Sequence, residues 1–173
     1  MTISLATRPA TPDDWTSMQV VFATAGRAAW PHIFALEFLE TLTPPDRWRE
    51  AIADPARVVL VAEAEGLVIG FAVLRRSGDQ CASPETGELD SFYVHADFWG
   101  KGVGQELLST AVDRLRDMGF AEATLWTAEL NHRPRRIYEI AGWRLDGGRR
   151  ECELGGTGFV ELRYRARIGW PIG

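Results

Sequence analysis

Apolar and polar positions change period several times along the chain, and each change marks an element. Ile3, Leu5 and Thr7 alternate as a short strand. Thr11, Pro12, Asp13 and Asp14 then supply an N-cap, a first-turn proline and two acids, so a helix starts near Pro12. Its apolar face, Trp15, Met18, Val21, Phe22 and Ala25, keeps the helical spacing until Pro31, and a second helical pattern runs through Ile33, Leu36, Phe38, Leu39 and Leu42. Pro44 and Pro45 open a third, short helix that reaches Ala53. Two β-rich runs follow, from Arg57 to Glu63 and from Leu67 to Arg76; the turn Ala64-Glu65-Gly66 joins them as a hairpin. After a polar loop from Ser77 to Thr86, a further strand occupies Gly87 to His95.

Leu107, Leu108, Ala111, Val112, Leu115 and Met118 share one face of a helix from Gly102 to Met118, with Gly119 placed as its left-handed terminus. Ala121 to Thr127 reads as a strand and Arg133 to Ala141 as a short helix stopped by Gly142. Two strands flank Gly155-Gly156-Thr157-Gly158. In the last of them Val160, Leu162, Tyr164 and Ala166 alternate with Glu161, Arg163, Arg165 and Arg167, which predicts one buried and one wet face. The order β-α-α-α-β-β-β-α-β-α-β-β is mixed α/β. No repeat or composition shift divides the chain, so residues 1–173 are expected to form one domain.

Composition narrows the function classes. With 173 residues, 46% of them apolar, the chain can bury a core without disulfides or metals. Its net charge of −5 repels a phosphate backbone, which argues against a nucleic-acid partner. Cys81 and Cys152 form no CxxC or Cys/His cluster, so reduced thiols and no metal are expected. No apolar run approaches the roughly eighteen residues a spanning helix needs, which leads to the expectation of a soluble, cytoplasmic protein without a membrane partner.

The cluster Gly100-Lys101-Gly102-Val103-Gly104 sits between a strand and the strongest helical pattern, where unpaired N–H groups and the positive helix end favour an anion. Lys101, the one lysine of the chain, stands at its rim. The spacing excludes a P-loop, which needs Gly-x-x-x-x-Gly-Lys before Ser or Thr. It also excludes a dinucleotide fingerprint, because Gln105 occupies the place of the third glycine.

Three segments in order, Glu88-Leu89-Asp90-Ser91-Phe92-Tyr93-Val94, Gly100 to Gly104, and Asn131-His132-Arg133-Pro134-Arg135-Arg136-Ile137-Tyr138-Glu139-Ile140-Ala141-Gly142-Trp143, resemble the GCN5-related N-acetyltransferase superfamily. The resemblance extends from Ile3 to Arg167. It implies a central, mostly antiparallel twisted sheet of about seven strands flanked by helices, with acetyl-coenzyme A as co-substrate and a small-molecule or peptide amine as acceptor. A homodimer is compatible with it. It implies cofactor contacts from Phe92, Tyr93 and Val94, from Trp99, Gly100, Lys101, Gly102, Val103, Gly104 and Gln105, and from Asn131 and Tyr138. Asn131 is expected to cap the late helix as well. Trp99 stands where the family usually has Gln or Arg, which removes a guanidinium from the phosphate loop and leaves its backbone.

Acetyl transfer from a thioester to an amine needs a neutral nucleophile and a protonated leaving thiolate. The resemblance matches Glu88 to the base position of the family's histone acetyltransferase branch, and a carboxylate there can take the ammonium's proton directly or through water. Asp90, two residues on along the same strand face, is the second candidate. It places the Tyr138 hydroxyl beside the sulfur as proton donor, a role suited to a phenol of pKa about 10 facing a thiol of about 8.5. No cysteine falls in the three segments, so direct transfer in a ternary complex is expected. The alternative is a non-catalytic acyl-coenzyme A sensor on the same scaffold, and a nucleotide-binding domain ranks below both.

Overall fold

The computed structural model describes residues 4–42 and 46–169. One sheet holds seven strands, β1 (Leu5–Pro9), β2 (Val58–Ala64), β3 (Leu67–Arg76), β4 (Thr86–Val94), β5 (Glu122–Ala128), β6 (Arg144–Leu154) and β7 (Thr157–Arg167). Their spatial order is β1-β2-β3-β4-β5-β7-β6, and every neighbouring pair is antiparallel except β4 with β5. The helices are α1 (Trp15–Ala29), α2 (Leu36–Glu40), α3 (Arg47–Ala53), α4 (Val103–Asp117) and α5 (His132–Ile140). The mixed α/β class and the element order agree with the sequence pattern.

Helices cover both sheet faces. On one, Met18, Val21 and Phe22 of α1 and Trp48 of α3 pack against Val59, Val61, Phe71 and Val73. On the other, Leu107, Leu108, Ala111 and Leu115 of α4 pack against Leu60, Ala72 and Leu74. Because β2 and β3 send alternate side chains to two buried faces, both read as nearly continuous apolar runs.

Local hydrogen bonding moves several boundaries. The N–H groups of Ile33 and Phe34 both donate to the Trp30 carbonyl, so residues after Pro31 close a turn and α2 begins only at Leu36. It ends where the Thr41 hydroxyl donates to the Glu37 carbonyl. Pro44 and Pro45, expected to open the third helix, and Ile3, expected in the first strand, lie outside the described residues. β7 departs from its expected two-faced character. Tyr164 alone among its apolar positions is fully buried, and Arg163 and Arg165 are half-buried because both pair with Asp146, with Arg163 also reaching Asp79.

The start of α1 rests on Asp14. Its carboxylate accepts from the Thr11 backbone N–H at 2.7 Å and from both terminal nitrogens of Arg8 at 2.7 and 3.0 Å, while 92% of the residue's surface is covered. The hydrogen bond from Arg8 holds the carboxyl below its ordinary 3.8, at about 2, against the opposing effect of burial. A carboxyl depressed by folding stabilises the fold above its unfolded pKa and loses that contribution as pH falls through the folded value. Asp14→Asn is therefore expected to cost about 2 kcal/mol at pH 7. Urea titrations should show the deficit closing between pH 4 and pH 2.

Candidate active site

The site originates in a break in the sheet. β4 and β5 pair only at Thr86–Glu122, Gly87–Ala123 and Glu88–Thr124, and both strands continue past this point without meeting. In the β3–β4 ladder Leu74 faces Leu89 but Val73 faces Ser91, which leaves Asp90 as the extra residue of a bulge. A bulge bends and twists its strand, and here it falls where the two strands part. Between them lies a cleft of about 520 Å³ that crosses the sheet. Gly100, Gly104, Asn131 and Tyr138 line it on the α4–α5 side, and Phe22, Trp30, Phe34 and Arg47 on the α1–α3 side. β4 serves both ends, since Phe92 packs with the α4 core and Tyr93 with the α1 core.

At the α4 end, Gly100 and Gly102 have φ of 75° and 85°, a left-handed region that glycine enters without strain. The backbone N–H groups from Gly100 to Gln105 make no well-aligned hydrogen bond among the described residues, the first such bond of α4 being Glu106 N–H to the Gly102 carbonyl. Six adjacent donors at a positive helix end make an anion cradle. A Cβ on Gly104 would come within 3.5 Å of Ile137 and 3.9 Å of Phe92 and narrow the approach. The Trp99 indole folds back to donate to the Val94 carbonyl at 2.7 Å, tying the loop to the end of β4. A guanidinium returns from another element: Arg133 of α5 lies 4.7 Å from the Trp99 ring and has no carboxylate partner among the described residues.

Tyr138 of α5 lines the cleft. Its ring is held by Phe92, Trp143 and Tyr164 at centroid distances of 5.9, 6.4 and 6.1 Å. Its hydroxyl makes no hydrogen bond among the described residues and borders the cleft. Burial raises its pKa well above the ordinary value, so the phenol keeps its proton. Burial likewise pushes Tyr93 up to about 12.

At the α1 end the two strand carboxylates have separate surroundings. Glu88 accepts from the Gly78 N–H at 2.8 Å and from Arg75 at 3.1 Å, lies outside the cleft lining, and is driven upward in pKa chiefly by burial. Asp90 lines the cleft, accepting from Arg75 Nε at 2.9 Å and from the Ser91 hydroxyl at 3.3 Å. Arg75 thus holds both, with Glu88 behind and Asp90 in front. A second carboxylate, Glu161 of β7, borders the cleft and is neutralised by Arg150 at 2.6 Å.

Of the residues singled out by sequence, Asp90, Phe92, Tyr93, Val94, Trp99, Gly100, Gly104, Asn131 and Tyr138 converge on the cleft. Gly102, Val103 and Gln105 are outside the cleft lining: the Val103 side chain is in the core and Gln105 borders the groove between α4 and α5. Lys101 rests over the Phe98 ring at 5.0 Å. Asn131 occupies the N-cap position without a side-chain cap bond, correcting the expected dual role, and it faces the cleft instead. Among the tryptophans, Trp48 is core and Trp30 borders the cleft. Arg47, Ser91, Phe159 and Glu161 carry no motif; Arg47 meets Ser91 across 44 positions of sequence, a contact that no local pattern encodes.

Residues 25–143 match the acetyltransferase (GNAT) family, and the chain belongs to that family. A probable N-acetyltransferase of Mycobacterium tuberculosis is 26% identical over 172 residues, covering 96% of this chain and 95% of the relative. Among solved structures, the PaiA N-acetyltransferase of Thermoplasma acidophilum in complex with coenzyme A has a TM-score of 0.74 at 19% identity, covering 95% of this chain and 99% of its own. A putative acetyltransferase of Salmonella typhimurium with its cofactor acetyl-CoA also has a TM-score of 0.74, at 21% identity, with 98% and 97% covered. No helix among the described residues is long and apolar enough to cross a membrane. None of the described His, Cys, Asp and Glu side chains gather in threes around a metal position.

Proposed function

We propose that this chain transfers an acetyl group from acetyl-coenzyme A directly to a primary amine. The observation that carries the reading is a cleft through the sheet lined by residues of the glycine loop, the Tyr138 phenol and the Asp90 carboxylate. The unpaired N–H groups from Gly100 to Gln105, with Arg133 beside them, suit a pyrophosphate, and the unpaired edges of β4 and β5 suit an extended amide-bearing arm. The thioester supplies the acetyl group. Tyr138 donates its proton to the departing sulfur, which leaves as the free thiol, and the phenol takes a proton back from water before the next turnover.

An alkyl ammonium of pKa about 10 must lose a proton before it attacks. Asp90 is the carboxylate of the strand pair that faces the cleft, so it takes that proton and releases it to water at the mouth. Glu88 acts through Arg75 as a positioning residue, which reverses the ranking expected from sequence. Asp90→Asn should lower turnover about tenfold to a hundredfold at pH 7, with a smaller deficit at pH 9, where more of the amine is already neutral.

Incubation with acetyl-coenzyme A and a panel of amines, reading free thiol together with the mass of one added acetyl group on the amine, tests the reading. Thiol release matched by acetylated amine is expected. Binding without release for every amine identifies a sensor and sinks the enzyme assignment.

A further inference from the structure

From the cleft's α1 end we infer the acceptor's class: an α-amino acid with an apolar side chain, bound as its zwitterion. This deepens the transferase reading and rests on it. Arg47, at the start of α3, borders the cleft and has no carboxylate partner among the described residues; it donates to the Ser91 hydroxyl at 3.2 Å and lies 5.5 Å from the Trp48 ring. Ser91 in turn donates to Asp90 at 3.3 Å and stands 3.5 Å from the Trp48 indole nitrogen. One hydroxyl therefore separates a guanidinium from the carboxylate assigned to the amine. The acids on this side already have arginine partners, Glu161 in Arg150 and both Glu88 and Asp90 in Arg75. Arg47, exposed at the mouth, is free to pair with an incoming anion.

The spacing of opposite charges across one small group is that of an amino acid's own two ends. A carboxylate leaving water for this cleft needs a charged, hydrogen-bonding partner, and the planar guanidinium matches its two oxygens. The ammonium, turned toward Asp90, is delivered to the side of the cleft that faces Tyr138. What remains around the pair is apolar: Phe22, Trp30, Phe34 and Phe159 border the same end, and Trp30 and Phe159 both pack against Phe34 at 5.9 and 5.5 Å. A polyamine's distal cation would meet Arg47 and this aromatic wall, and beyond Asp90 the one other acid lining the cleft among the described residues, Glu161, is paired with Arg150.

The experiment compares L-phenylalanine with phenethylamine and L-leucine with 3-methylbutylamine, pairs that differ by the carboxylate. Wild-type kcat/KM should favour each amino acid at least tenfold, and Arg47→Met should erase the preference by raising KM for the amino acids alone, with acetyl-coenzyme A affinity unchanged. Equal use of both members of each pair, or a preference that survives Arg47→Met, overturns the assignment. Calorimetry with the same four ligands reads the site without turnover. Amino-acid binding that depends on Arg47, in a protein that fails to bind acetyl-coenzyme A, would overturn the transferase reading and leave the zwitterion site standing.

Discussion

Tyr138→Phe is expected to lower turnover roughly tenfold to a thousandfold, the range between one charge-assisted hydrogen bond and a full general-acid contribution. Acetyl-coenzyme A affinity should stay the same. The ring keeps its contacts with Phe92, Trp143 and Tyr164, so the variant should fold and melt like the parent. The lost atom is a hydroxyl that bonds to no protein group among the described residues and that burial keeps protonated. The hydroxyl is therefore available to a ligand atom or to water in the cleft. The deficit should shrink with an activated thioester such as an acetyl-thiophenol, because a better leaving group needs less help. Steady-state kinetics with the two thioesters decides the point; equal activity of the phenylalanine variant would remove the proton-donor role.

The second large effect belongs to Gly102. Its φ of 85° favours glycine but tolerates Asn and Asp, and a Cβ there meets no atom within 4 Å. Gly102→Asn and Gly102→Asp are therefore nearly equal in backbone cost and in size, and they differ in charge. If the cradle holds phosphate, the aspartate should repel it by about 3 kcal/mol at ~5 Å and an effective dielectric constant near 20. That corresponds to about a hundredfold weaker acetyl-coenzyme A binding than in the asparagine variant. At about 1 M salt, where the screening length is about 3 Å, the gap should narrow. Calorimetry giving equal affinities for the two variants would place the pyrophosphate elsewhere.

How far the sequence reached depended on the range of the interactions involved. α4 was legible because its apolar set, its N-terminal glycines and Gly119 are local and agree with one another, and Gly119 does take a φ of 90°. The hairpin of β2 and β3 was legible from β-rich runs around a short turn. The bulge at Asp90 was not, because it exists only as a mismatch between the β3 and β4 registers. That mismatch opens the cleft and separates the surroundings of Asp90 from those of Glu88. The Tyr138 position came from a motif and lies in the cleft; the Arg47–Ser91–Asp90 chain joins residues far apart in sequence that no motif connects. β7 defeated simple alternation for a related reason, since Asp146 and Asp79 draw its arginines partly out of water.

The parting of β4 from β5 also bears on self-association. Unpaired strand edges are templates onto which another chain's strand can add, and proteins commonly blunt them with charges, prolines or short lengths. Here two such edges face each other inside the molecule, roofed by α4 and α5 on one side and by α1 and its following loop on the other. The sheet's outer edges are β1 and β6, whereas the facing edges of β4 and β5 lie inside the molecule, so enlarging the gap by trimming Phe92 or Ile137 should be read out in aggregation as well as in catalysis.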